Sequence, residues 1–193
     1  MINHKHKCIF VHCHKCAGET IESAIFGGPD TGFKGDPFEG SPEKHFSVNQ
    51  YIKKYGESVW NNYFTFSFVR NPWDRVISWI KYRDKRHNLY GGTLNSSIIK
   101  KEVKIPYISN NSYYNMLSLD DSSRSIDFIG RFENLQEDFE IVCDEIGIER
   151  KKLPHKNKTK HKHYAEYYDD ETRAIVAEKY AKDIEYFGYQ FGY

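Results

Sequence analysis

The chain contains no stretch approaching the roughly 18 apolar residues that a membrane-crossing helix needs, and Met1 to Lys7 is too short and polar to lead into the apolar core of a secretory signal. The expected protein is soluble, not exported and cytoplasmic, without a membrane span. It has four cysteines in 193 residues, which is not a disulfide scaffold for a chain of this size, and an intracellular setting keeps such thiols reduced. No charge of one sign dominates: the formal net charge is +1, which argues against a general nucleic-acid binder. There is no internal repeat, and no low-complexity tract apart from one basic loop.

What is present is enough apolar material, 39% of 193 residues, for one well-buried core, so residues 1–193 are expected to form a single domain. Charge is unevenly placed along it. Arg150 to His163 reads Arg-Lys-Lys-Leu-Pro-His-Lys-Asn-Lys-Thr-Lys-His-Lys-His, whereas Asp120 to Glu145 is acid-rich. Such a basic run is ordinarily a solvated loop.

Hydrophobic patterning gives three repeats of strand, turn and helix. Lys7 to Cys13 has the isoleucine, phenylalanine and valine of a buried parallel strand, and a helix is expected over Thr20 to Phe26 after a turn at Gly18. Gly27 to Pro42 reads as irregular, and Ser47 caps a short helix running to Tyr55, with His45 just before it. Tyr63 to Val69 is the second strand. Asn71 as cap and Pro72 at the first helical position start a helix whose Trp73, Val76, Ile77 and Ile80 form an apolar face expected to lie on the sheet. Residues 88–125 give no firm elements and read as a long connection. Ile126 to Phe132 is the third strand, followed by Asn134 as cap and a helix with Leu135, Phe139, Val142 and Ile146 on one face, closed at Gly147. Asp169 to Ala181 is a C-terminal helix with an acidic first turn. Strands alternating with helices predict a three-layer α/β fold of P-loop type with a mostly parallel central sheet.

Two of the turns carry groups suited to anions. In Lys15-Cys16-Ala17-Gly18-Glu19-Thr20, small residues allow close backbone approach, Thr20 brings a hydroxyl and Lys15 a neutralising charge. In the second, Arg70 emerges at the carboxyl end of its strand, where ligands of open α/β sheets bind, and Ser78 follows two turns into the helix. The first differs from the nucleotide-triphosphate loop Gly-x-x-x-x-Gly-Lys-Ser/Thr, because its lysine precedes the glycine by three residues, and no obvious magnesium carboxylate follows a strand. Two such turns suggest one ligand with two anionic ends.

Together, Phe10-Val11-His12-Cys13-His14-Lys15-Cys16-Ala17-Gly18-Glu19-Thr20 and Phe68-Val69-Arg70-Asn71-Pro72-Trp73-Asp74-Arg75-Val76-Ile77-Ser78 resemble the 5′-phosphosulfate loop and 3′-phosphate motif of carbohydrate sulfotransferases of the heparan and chondroitin group (sulfotransferase family 2). The segments Arg131 to Phe139 and Leu153 to Asn157 are also similar to that family. The first motif departs from the usual pattern at His14, Cys16 and Glu19. The resemblance implies transfer of a sulfuryl group from 3′-phosphoadenosine 5′-phosphosulfate to an acceptor hydroxyl on a carbohydrate or another molecule, with adenosine 3′,5′-bisphosphate as product and no metal required. It implies that Lys15 stabilises the leaving oxygen, that the backbone from Cys16 through Ala17, Gly18 and Glu19 to Thr20 holds the 5′-phosphate, and that Arg70 and Ser78 hold the 3′-phosphate. His45 is the expected base for the acceptor, with Glu39 and Glu43 as weaker candidates, and Lys158 with Lys156 and Lys160 is expected to meet the nucleotide or an anionic acceptor. Glu19 is expected to point away from the sulfate or to meet the acceptor.

Two other classes remain open on these residues. One is a P-loop kinase or nucleotide-binding module, which shares the fold type. The other is an electron carrier or thiol redox protein, since Cys8, Cys13 and Cys16 have the Cys-x4-Cys-x2-Cys spacing of an iron–sulfur site, with Cys143 as fourth ligand.

Overall fold

A computed structural model describes residues 1–27, 44–105, 112–121, 125–153 and 162–192. It divides into two compact units, Met1–Val69 with Asn115–Lys158, and Arg70–Tyr114 with Thr159–Tyr193.

The first unit is built on a sheet. β1 (Ile2–Asn3) pairs antiparallel with β2 (Cys8–Val11), which pairs in parallel with β3 (Phe64–Val69), which pairs in parallel with β4 (Phe128–Arg131), in the order β1-β2-β3-β4. The α/β architecture with a mostly parallel central sheet is therefore as the sequence predicts. The β2 residues are all fully buried, as a continuous apolar run in a parallel sheet requires. Phe10 sits opposite Phe66 and stacks on it, and Phe68 faces Gly130 across the next ladder. Gly130 is needed there because a Cβ at that position would fall 2.5 Å from the Phe68 ring. Polar pins fix the register: Asp127 Oδ2 accepts from the Thr65 amide at 2.7 Å and hydroxyl at 2.9 Å, and the Ser67 hydroxyl donates to the Val11 carbonyl at 2.7 Å.

Three helical segments complete the part of this unit nearest β2. After β2 comes α1 (Gly18–Glu22), which begins two residues earlier than predicted and passes into a π-helical turn, Ser23–Gly27. α2 (Val48–Tyr55) starts at Ser47 as predicted, in a reciprocal cap: the Ser47 side chain accepts from the Gln50 amide, and Gln50 accepts from the Ser47 amide at 2.8 Å. α3 (Glu57–Asn62) then leads into β3.

The second unit is helical and is organised by α4 (Pro72–His87). Asn71 caps it as expected, accepting from the Trp73 amide at 3.1 Å, while its own amide group donates to the Gln190 carbonyl at 3.0 Å. The predicted apolar face of Trp73, Val76, Ile77 and Ile80 is buried, but the company it keeps in this unit is helical. It forms one cluster with Ile99 and Val103, at the end of α5 (Ser96–Glu102), and with Val176 and Tyr180 of the C-terminal segment. α5 corrects the reading of 88–125 as connection. Asn95 caps it at the Ile98 amide, and its formation depends on the burial of Ile99, which no local repeat announces.

Further corrections concern helix ends. Residues 113–116 form a single turn, α6 (Tyr113–Met116). Asn134 does not cap the helix that follows β4. A 3-10 turn, Phe132–Asn134, intervenes before α7 (Leu135–Glu145), and it is Asp138 within α7 that takes the Arg131 amide at 2.5 Å. The C-terminal helix breaks at Tyr180 into α8 (Asp170–Lys179) and α9 (Ala181–Phe187). The break leaves Asp183 of α9 fully buried, where it accepts from the Ser112 hydroxyl at 2.6 Å and from the Tyr113 and Tyr114 amides at 3.0 and 2.9 Å. The buried Arg75 guanidinium lies 3.7 Å from Asp183 and over the rings of Tyr113 and Tyr180. Removing this carboxylate uncovers a buried cation and frees three donors. Asp183→Ala is therefore expected to cost about 3–5 kcal/mol, read as a lower urea midpoint with α-helical signal lost in the same transition.

Candidate functional site

The turn after β2 has an uncommon backbone. Lys15 and Ala17 both take positive φ, 65° and 57°, where residues with a Cβ are rarely found. Ala17 is the start of α1: its carbonyl accepts from the Thr20 amide at 2.9 Å and the Ile21 amide at 3.2 Å, with no side-chain cap. Left-handed residues thus flank Cys16 on both sides, and backbone in which left- and right-handed residues alternate can turn successive N–H groups toward an anion. Lys15 is partly exposed, whereas Cys16, Gly18 and Thr20 are buried.

Gly18 owes its identity to a neighbour. A Cβ there would lie 1.9 Å from His12 Nε2, so the imidazole of His12 occupies the space that any side chain at 18 would take. That ring is held in turn by Glu22 of α1, whose Oε1 lies 2.7 Å from His12 Nδ1 in a buried pair. Phe10 stacks on its other side, with centroids 5.5 Å apart.

His45 completes the cluster. Its ring centre lies 4.4 Å from that of His12 and 3.7 Å from that of His14, and its Nδ1 is 2.9 Å from the His12 carbonyl. A carbonyl only accepts, so Nδ1 carries the proton and Nε2 keeps its lone pair. Burial first, then repulsion from His12, with smaller contributions from Lys44 and Lys15, lowers the His45 pKa to about 3. The ring is therefore neutral at pH 7.

Glu19 lies at the surface, where its Oε1 meets Lys44 Nζ at 3.2 Å. The structure thus brings Lys15, Cys16, Ala17, Gly18, Glu19, Thr20 and His45 together in the first unit. Arg70 and Ser78 belong to the second. Arg70 is buried and its guanidinium grips Asp74 Oδ2 through Nε at 2.8 Å and Nη2 at 2.7 Å, and Ser78 is half-buried on α4. Lys158, Lys156, Lys160, Glu39 and Glu43 lie outside the described residues.

Sequence reasoning missed His12, His14, Glu22 and Lys44. A signal did exist: Gly18 and Glu22 are four apart, hence on one face of a helix, and His12 and His14 alternate along an extended segment. The iron–sulfur alternative finds no support. Cys8, Cys13, Cys16 and Cys143 are all buried, and burial pushes the Cys8 thiol up to about 12 and the Cys143 thiol upward as well. Among the described residues no group of His, Cys, Asp or Glu is placed to hold a metal ion, and no helix among them is long and apolar enough to cross a membrane.

Two measurements test this geometry. Gly18→Ala must displace His12 and is expected to lower stability by about 1–3 kcal/mol, seen as a reduced denaturation midpoint. Because the His45 pKa is depressed in the folded state, only the unfolded chain takes up its proton between the ordinary value of about 6.5 and about 3. The native state accordingly loses stability as pH falls through that window and is unaffected above it. His45→Gln removes this component, so wild type and variant should diverge in stability below pH 6.5 in parallel urea titrations.

A stretch of 100 residues is 32% identical to an uncharacterized protein of Archaeoglobus fulgidus, covering 49% of this chain and 77% of that one. The chain is also similar to the crystal structure of a sulfotransferase from Alicyclobacillus acidocaldarius over 96% of each chain, at 13% identity and a TM-score of 0.45. The pattern of the sulfotransferase family matches residues 1–124 and again 113–190, which together span nearly the whole sequence and include the turns at 15–20 and 70–78. On that match the chain belongs to the sulfotransferase family, whose reaction is sulfuryl transfer.

Proposed function

We propose that the protein transfers a sulfuryl group from 3′-phosphoadenosine 5′-phosphosulfate to a hydroxyl of a carbohydrate acceptor. The observation that carries this reading is a neutral histidine, His45, packed beside a left-handed Lys15–Ala17 turn at the carboxyl end of a parallel strand. A base with a free lone pair next to an anion cradle is what sulfuryl transfer to an alcohol requires.

The residues fit the nucleotide. The backbone from Cys16 to Thr20 holds the 5′-phosphate, and Gly18, bare where the His12 ring lies, lets that ring brace the turn. Lys15 neutralises the oxygen that leaves with the phosphate. Arg70 and Ser78 hold the 3′-phosphate, with Asp74 orienting the Arg70 guanidinium, and Lys158 adds charge for the nucleotide. When bound, that nucleotide supplies the sulfuryl group for an in-line transfer through a loose transition state. His45 takes the acceptor proton at Nε2, with its own Nδ1 proton kept on the His12 carbonyl. A pKa of about 3 makes His45 a weak base in the resting site. The anionic donor brought beside it opposes the repulsion from His12, Lys15 and Lys44, and so raises its proton affinity when the acceptor is present. Glu19, tied to Lys44, stands at the surface as a contact for the acceptor.

The reading is tested by ligand and by variant. Adenosine 3′,5′-bisphosphate should raise the melting temperature without magnesium, and ATP with magnesium should not do so preferentially. Labelled sulfate should pass from the donor to a glycan in a screen that also offers lipid and phenolic hydroxyls. His45→Ala should lower kcat by about 10²–10⁴ while nucleotide affinity is unchanged. Unchanged turnover in that variant removes His45 from the mechanism, and a preference for ATP with magnesium removes the sulfotransferase reading.

A further inference from the structure

Glu22 is fully buried, and only one of its carboxyl oxygens is bonded: Oε1 meets His12 Nδ1 at 2.7 Å, while Oε2 has no partner among the described residues. A buried oxygen left in this way is disfavoured, and its retention calls for a role that offsets it. The bond it does make ends on a residue with four other engagements. The His12 ring fills the space over Gly18 and stacks on Phe10, its centre lies 4.4 Å from that of the tilted His45 ring, and its carbonyl takes the His45 Nδ1 proton.

Glu22 sits on α1 and His45 precedes α2, and the connection between them runs through His12. The chain of contacts runs from the carboxylate to the imidazole, and from that residue's ring and carbonyl to His45. Swinging the His12 ring away from Glu22 would drive it toward the Gly18 backbone or the Phe10 ring, both already in contact with it. The pair therefore has one arrangement, and His45 is seated on it.

We propose that Glu22 is a positioning residue for His45: by holding His12 through Nδ1 it fixes the ring face and carbonyl against which His45 rests, and keeps the His45 Nε2 lone pair aimed outward. This rests on the assignment of His45 as the base. His14, Lys15 and Lys44 also face His45, and Glu19 reaches this group through Lys44. None of them substitutes for the bond that Glu22 makes to His12.

The test uses Glu22→Leu, which keeps bulk and removes the acceptor, and Glu22→Gln, whose amide can still bond His12. One readout needs no activity: the imidazole nitrogen resonances of His45 at pH 7. In the wild type they should report a proton on Nδ1. In Glu22→Leu they should move to a mixture of tautomers, and in Glu22→Gln they should return to the wild-type pattern. In turnover, Glu22→Leu should lower kcat by about tenfold or more with the affinity for adenosine 3′,5′-bisphosphate unchanged, and Glu22→Gln should recover most of it.

Wild-type His45 resonances in folded Glu22→Leu overturn the inference, as does an equal loss of kcat and nucleotide affinity, which would mark a general disruption of the turn. If Glu22→Leu does not fold, Glu22→Asp, too short to reach His12 unchanged, replaces it under the same criteria. A wild-type His45 that is not protonated on Nδ1 also overturns it. The failure of the underlying assignment looks different: His45→Ala would turn over normally, while the resonances would still decide what Glu22 does.

Discussion

The contact between the His12 imidazole and the bare Cα of Gly18 is the constraint on which the site depends. It places a side chain of the strand end directly on the first residue of the following helix, so that the intervening turn has little room to choose its path. The turn answers with positive φ at Lys15 and Ala17, a conformation that each would avoid in isolation. The buried bond to Glu22 holds the ring from below, and the Phe10 ring closes it from the side. Strand, turn and helix are thereby fixed to one another by a single aromatic group, and the backbone amides of the turn inherit that rigidity. Preorganised donors of this kind stabilise developing charge without rearranging as it appears.

A parallel logic governs the second unit. Arg75 is buried on α4 against two tyrosine rings, with Asp183 3.7 Å away, and Asp183 in turn gathers the donors at 112–114. A buried charge left alone is strongly disfavoured, so the position of each group dictates that of the others. Arg70, one turn before Arg75, makes a different bond, to Asp74 in the first turn of the same helix. Asp74 fixes the Arg70 guanidinium at the helix start, beside the positive end of the α4 dipole.

Much of this was legible from the residues. The three parallel strands follow from their apolar runs, and the Ser47 and Asn71 caps follow from side chains that bond backbone amides across two or three residues. Such signals are local and survive in any context. The helix at 96–102 was not legible because it rests on Ile99 entering a cluster whose other members come from positions 73–80, 103, 164 and 176–180. The Tyr180 break escaped for the same reason, since Asp183 is satisfied by donors at 112–114, whereas the 3-10 turn before α7 goes with a short-range bond from the Arg131 amide to Asp138. In the site, Lys15, Gly18 and His45 stood out by residue type and order, whereas His12 and Glu22 read as ordinary members of a strand end and a helix.

The sequence by itself determined the α/β class, the two strand-turn-helix segments that carry Lys15 and Arg70, their order and the likeness to sulfotransferases, because those rest on short-range patterns of apolar, small and cationic residues. Only the tertiary structure decided that Gly18 is bare to admit His12, that Glu22 is tied to that ring, and that His45 is neutral with its proton on Nδ1. These depend on which atoms meet across 6 to 33 positions of chain, and on the loss of water around them, neither of which a linear pattern encodes.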